Sequence, residues 1–209
     1  MRNIVLPLSI AFMSLLGASC TGSSDEKAQA KTQVKETKVV KPLAFDSTKL
    51  YVGWTAFKTT DSVEVSGVFN DYQLKGINEG DSPEAIFSGS SISIKTNSVD
   101  TKNAVKNSNI FNYFFSKFQY PEKIDVMVKS LKPEKGILSI TMNNITNDVE
   151  VTPSFKDRSY VLEGLIDLRS FKVVSAADSL NYHCSANHAG ADGIVKLSRA
   201  VYILVKADL

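Results

Sequence analysis

Apolar and polar residues alternate along much of this chain. In the stretch Ser62 to Phe69, Val63 and Val65 alternate with Glu64 and Ser66; in Ser91 to Thr96, Ile92 and Ile94 alternate with Ser91, Ser93 and Lys95. A period of two sends successive side chains to opposite faces, so each such segment has one apolar and one wet face. Alternation, with β-branched and aromatic content, predicts eight strands. They run from about Lys49 to Lys58, Ser62 to Tyr72, Ala85 to Thr96, Lys123 to Leu131, Gly136 to Asn143, Asp148 to Phe155, Arg158 to Leu168 and Val195 to Lys206. Three links, Thr59-Thr60-Asp61, Lys132-Pro133-Glu134-Lys135 and Lys156-Asp157, are short, polar and of hairpin length, which makes successive strands neighbours. Antiparallel strands with one apolar face must pair two sheets or close on themselves. Eight strands closed into an antiparallel β-barrel leave room for side chains or one ligand.

Two stretches change the period from two to that of a helix. From about Thr101 to Phe118, the residues Ile110, Phe111, Phe114, Phe115 and Phe118 recur at spacings of three and four and form one aromatic face, with Pro121 beyond it. A second helix is predicted from about Ala176 to Ala189, behind Ser175 as N-cap and before Gly190 as stop. The expected fold is all-β with two helical insertions.

The N-terminus has a different character. Residues 1–19 carry Arg2, an uncharged run from Ile4 to Leu16 and the small residues Gly17, Ala18 and Ser19, the layout of a bacterial secretion signal. The run falls short of the ~20 apolar residues that span a bilayer. Small residues ahead of Cys20 suit a lipoprotein peptidase, which makes Cys20 the expected acylated N-terminus and membrane anchor; the alternative is ordinary cleavage with Cys20 unmodified. Residues 20–42 lack aromatic side chains and mix Lys, Glu, Gln, Ser and Thr, a composition that cannot bury enough surface to order itself. As a coil, such a tether holds the domain ~25 Å from the membrane. Residues 43–209 then form a single domain long enough to bury a core. The expected location is the bacterial cell envelope, on the outer membrane, facing periplasm or cell surface. A net charge of +2 over the whole chain gives no electrostatic footprint for nucleic acid.

Several segments resemble the YceI-like family. Val52-Gly53-Trp54-Thr55-Ala56-Phe57-Lys58 followed by Val65-Ser66-Gly67-Val68-Phe69 is similar to that family's opening hairpin. Ile94 to Thr101 followed by Asn109 to Phe115 resembles its strand and the helix ending in paired phenylalanines. Leu162 to Leu168 resembles its penultimate strand, and Cys184, His188, Asp192-Gly193 and Lys196 resemble a subgroup with a Cys and a His on the last helix. The chain departs from the pattern where Leu197 and Ser198 follow Lys196, and where Lys106-Asn107 stand in place of Arg-Asp. The resemblance implies a lipocalin-like barrel, in a lipoprotein of Bacteroidetes type, that binds an isoprenoid or other long-chain lipid. It implies no cofactor beyond a bound isoprenoid lipid and no enzymatic activity.

For a barrel that holds a lipid, the candidate cavity lining is Trp54, Phe57, Phe69, Ile92, Ile94, Phe111, Phe114, Phe115 and Phe118, with the first helix as lid. The alternative is that these residues simply pack on one another, because apolar stripes are usually core. Cys184 and His188 sit four apart on the second predicted helix and share a face, with Asp192 a turn further on. They are two ligands of an incomplete metal or haem site, a redox pair in which the imidazole lowers the thiol pKa, or packed core. His183 adjoins Cys184 and points elsewhere. The chain has only these two histidines and no Gly-x-Ser-x-Gly elbow, phosphate loop or zinc-hydrolase motif. Catalytic residues are therefore not expected. A filled barrel acting only as a surface interaction scaffold is the remaining alternative.

Overall fold

The computed structural model describes residues 42–209. The secretion signal, Cys20 and the tether up to residue 41 lie outside the described residues.

Ten strands form one curled antiparallel sheet: β1 Tyr51–Lys58, β2 Val63–Phe69, β3 Tyr72–Lys75, β4 Ser91–Lys95, β5 Val99–Asp100, β6 Lys123–Lys132, β7 Lys135–Met142, β8 Ile145–Lys156, β9 Ser159–Asp167 and β10 Leu197–Asp208. Their order is β3-β4-β6-β7-β8-β9-β10-β1-β2-β5. The expected count of eight is corrected to ten among the described residues, because one expected strand is divided in two and the two-residue strand β5 was not expected; a second expected strand is shortened from its start. The segment from Ser62 to Tyr72 divides at Asn70-Asp71 into β2 and β3. The segment from Ala85 to Thr96 starts as a helical turn, α1 Pro83–Phe87; Ser82 caps it by accepting from the Ala85 amide at 3.3 Å, and Pro83 occupies its first turn. Ser followed by Pro is a helix start. The sheet edges are linked: β2 leads into β3, β4 leads through the 3-10 turn Thr96–Ser98 into β5, β2 pairs with β5 (Phe69 with Val99), and β3 pairs with β4 (Tyr72 with Ile94).

Tight turns join β7 to β8 and β8 to β9. Asn143 and Asn144 have φ of 54° and 60°, and Asp157 and Arg158 have 51° and 65°. Two successive left-handed residues match the right-handed twist of the flanking strands, and Asn and Asp tolerate that region best after glycine.

The alternation is realised most cleanly in β7, where Gly136, Leu138, Ile140 and Met142 are buried and the residues between them are not. Helix α2, Ala104–Tyr113, starts at Asn103, whose side chain accepts from the Lys106 amide at 2.9 Å. It gives way at Phe114 to the 3-10 turn Phe115–Lys117. The second expected helix is also broken. Helix α3 runs Val174–His183, beginning ahead of the expected Ser175 cap; Cys184 leaves the helical region at φ −106°, ψ 19°; and α4 is the single turn Ser185–His188. Phe171 and Val173, just before α3, are among the most deeply buried side chains.

Candidate ligand cavity

A cavity of about 470 Å³ lies on the concave side of the sheet, within the range of small-ligand pockets. Its walls are the inward residues of β1, β2, β4, β6, β7, β9 and β10, including Val52, Trp54, Phe69, Ile140, Leu162 and Ile203. Register explains why they converge. Trp54 faces Gly67 on one side and Ile203 on the other, and a side chain at Gly67 would place its Cβ 2.6 Å from the indole Cζ2. The absent side chain at Gly67 makes room for the ring.

One end of the cavity is aromatic. There Tyr160 pairs with Ala207 near the end of β10, and the ring of Phe87 of α1 stacks on it with centroids 5.7 Å apart and 5° between planes, while Phe45 closes edge-on against Phe87 at 5.0 Å. Burial pushes the Tyr160 hydroxyl well above the ordinary tyrosine range, aided by the charge of Glu84. Tyr160 Oη and Trp54 Nε1 are buried with no hydrogen-bond partner among the described residues.

The other end is polar. Lys58 ends β1, and around it lie Asn103, Lys106 and Asn109 from the N-terminal part of α2 and its cap, Cys184, Asn187 and His188 near α4, and Ser198 at the start of β10. Lys58 Nζ donates to the Asn187 carbonyl at 2.8 Å. His188 Nδ1 bonds Asn181 Oδ1 at 2.9 Å; an amide oxygen accepts, which makes Nδ1 the protonated nitrogen. Burial, then the nearby Lys58 charge, pull the His188 pKa below the ordinary value. Burial pushes the Cys184 thiol up, against a smaller opposing effect of Asn109. The thiol is thus held protonated rather than activated by its neighbour. Among the described residues, no group of three His, Cys, Asp or Glu side chains could hold a metal ion.

Of the nine candidate lining residues, Trp54, Phe69, Ile92, Ile94, Phe114 and Phe115 border this cavity with side chains of the inward face. Three are placed differently. Phe57 borders it only from the opposite face of β1: strand parity sets it against Trp54 and Ala56, and its ring meets Tyr202 edge-on at 5.6 Å. Phe111 lies in a separate groove with Lys95, Thr96, Pro121 and Lys123. Phe118 is buried behind Phe114 and Phe115, at 5.0 and 5.5 Å from their rings. The single aromatic face assumed one continuous helix, whereas the break at Phe114 changes the phase of every ring after it. His183 turns away from the cavity to stack on Tyr113. Lys58 was not anticipated, because a lysine ending a strand carries no signal of what folds over it.

The curled antiparallel sheet thus encloses an apolar cavity with one polar end. The YceI-like domain matches residues 29–203, and the chain belongs to that family. Its fold is shared with a polyisoprenoid binding domain from Saccharophagus degradans implicated in plant cell wall breakdown (16% identity, TM-score 0.53, 79% of this chain and 98% of that one). It is likewise shared with BcnA of Burkholderia cenocepacia (15% identity, TM-score 0.51, 78% and 98%). No curated protein sequence matches the chain.

Proposed function

We propose that this protein is an envelope-anchored lipid carrier, held by an acylated Cys20, that encloses the tail of an isoprenoid or other long-chain amphiphile and performs no covalent chemistry. The observation that carries the reading is the apolar cavity of about 470 Å³. The polyisoprenoid binding named for the structurally similar domain supports the same ligand class. Burying about fifteen methylenes at ~0.8 kcal/mol each contributes ~12 kcal/mol. An association cost of about 4 kcal/mol, the low end for such events, leaves a micromolar dissociation constant.

Native mass spectrometry of the protein purified from a bacterial envelope tests this reading. The expected spectrum shows an adduct of several hundred daltons that organic solvent removes. A bare polypeptide mass that also fails to take up added farnesol or fatty acid overturns it. A redox or metal role for Cys184 and His188 has less support, since burial raises the thiol pKa.

A further inference from the structure

We infer that the amphiphile enters tail first and ends in an anionic oxygen headgroup, a carboxylate or a phosphate ester, that meets the amine of Lys58. This inference rests on the lipid-binding reading and specifies its ligand. Among the described residues no Asp or Glu borders the cavity, whereas two lysines, Lys58 and Lys106, do, and both belong to its polar end.

Lys95, Lys102, Lys123, Lys129 and Lys135 each meet a carboxylate on the protein surface, but no ion pair among the described residues includes Lys58. The one hydrogen bond its amine makes among the described residues goes to a neutral acceptor, the Asn187 carbonyl. An ammonium has three donors, so two remain for a ligand. Of the groups around it, Asn103, Asn109, Cys184, His188 and Ser198 are uncharged or held neutral by burial and Lys106 has the same sign, so none cancels the charge.

A lipid filling the cavity displaces water from the inner side of Lys58. Beneath a neutral headgroup the ammonium loses solvation without recovering a partner, which is costly. Beneath an anion it gains a charge-assisted hydrogen bond, stronger in a half-enclosed site than in bulk water. The opposite orientation would set the headgroup against Tyr160, a neutral donor among aromatic rings, where nothing compensates a buried negative charge.

The test compares three ligands with one chain length, hexadecanoic acid, hexadecyl phosphate and hexadecanol, titrated into the full-length protein with emission of Trp54, the only tryptophan, as readout. Both anions are expected to bind roughly tenfold or more tightly than hexadecanol at low salt. Raising the salt should narrow that gap, and Lys58→Met should close it. The stronger of the two anions then tells whether carboxylate or phosphate is the natural headgroup. Equal affinity for all three ligands overturns the inference and leaves the lipid reading standing. So does an anion preference that survives Lys58→Met, or one abolished by Tyr160→Phe instead. Failure of all three ligands to bind overturns the lipid reading and the inference with it. Should Lys58→Met fail to fold, the salt dependence of the unaltered protein decides: an anion preference that salt does not diminish overturns the inference.

Discussion

The ring of Tyr113 lies nearly flat on the imidazole of His183, with centroids 3.9 Å apart and 12° between planes. Tyr113 is the last residue of α2 and His183 the last of α3, so the stack joins the C-terminal ends of two helices that border the polar end of the cavity. A stacked aromatic pair adds about 0.5 to 1.5 kcal/mol beyond its buried area. Tyr113→Ala is expected to lower stability by about that amount and to speed exchange of a bound lipid. Stopped-flow displacement checks this, and unchanged exchange rates would refute a gating role for the stack.

Ala56 points into the cavity from the middle of β1, between Trp54 and Lys58. Ala56→Phe adds a ring where there is space rather than packed atoms, so it should not incur the strain of overfilling a dense core. The expected outcome is a melting temperature held within a few degrees and lipid affinity lowered roughly tenfold or more, because the tail loses its volume.

Phe171 behaves oppositely. It is 1% exposed, borders no part of the cavity and packs in the core before α3. Phe171→Ala should cost about 3 to 5 kcal/mol, the usual range for removing a buried phenylalanine. Chemical denaturation would measure the loss as a shift in midpoint without a change in slope.

His188 confers a pH dependence whose sign follows from its lowered pKa. Above the ordinary value of 6.5, folded and unfolded chains both hold the ring neutral and stability does not change on its account. As pH falls below 6.5, the unfolded chain binds a proton that the buried ring resists, and stability is lost until the folded pKa is reached. Melting temperatures at pH 8 and pH 5.5 should therefore fall less for His188→Gln than for the unaltered protein. Equal slopes would refute the assignment.

Much of this architecture was legible in the chain. Strand identity is local: alternating Val63 and Val65, or Ile92 and Ile94, needs only the period of the backbone to sort its faces, and β1, β6, β7 and β9 begin and end within about two residues of expectation. The errors also have local causes. The Ser82-Pro83 cap was overridden by the apolar residues that follow, and the phenylalanine run was assigned one helical phase although the helix ends at Tyr113. Trp54, Phe69 and Ile94 could be nominated as cavity lining because parity decides which face a strand residue takes. Phe57 shows the limit of choosing residues by type without applying that parity.

By itself the sequence determined a predominantly antiparallel β-domain and the two faces of its strands, since these follow from short-range periodicity and backbone sterics, while its motifs carried the resemblance to the YceI-like family. Only the tertiary structure decided that the inward faces leave a cavity instead of filling it, and that its one uncompensated end lies at Lys58. That lysine meets Asn187 across a separation of 129 residues. No local pattern records such a meeting, because it depends on how strand register, sheet curvature and the broken last helix add up across the whole domain.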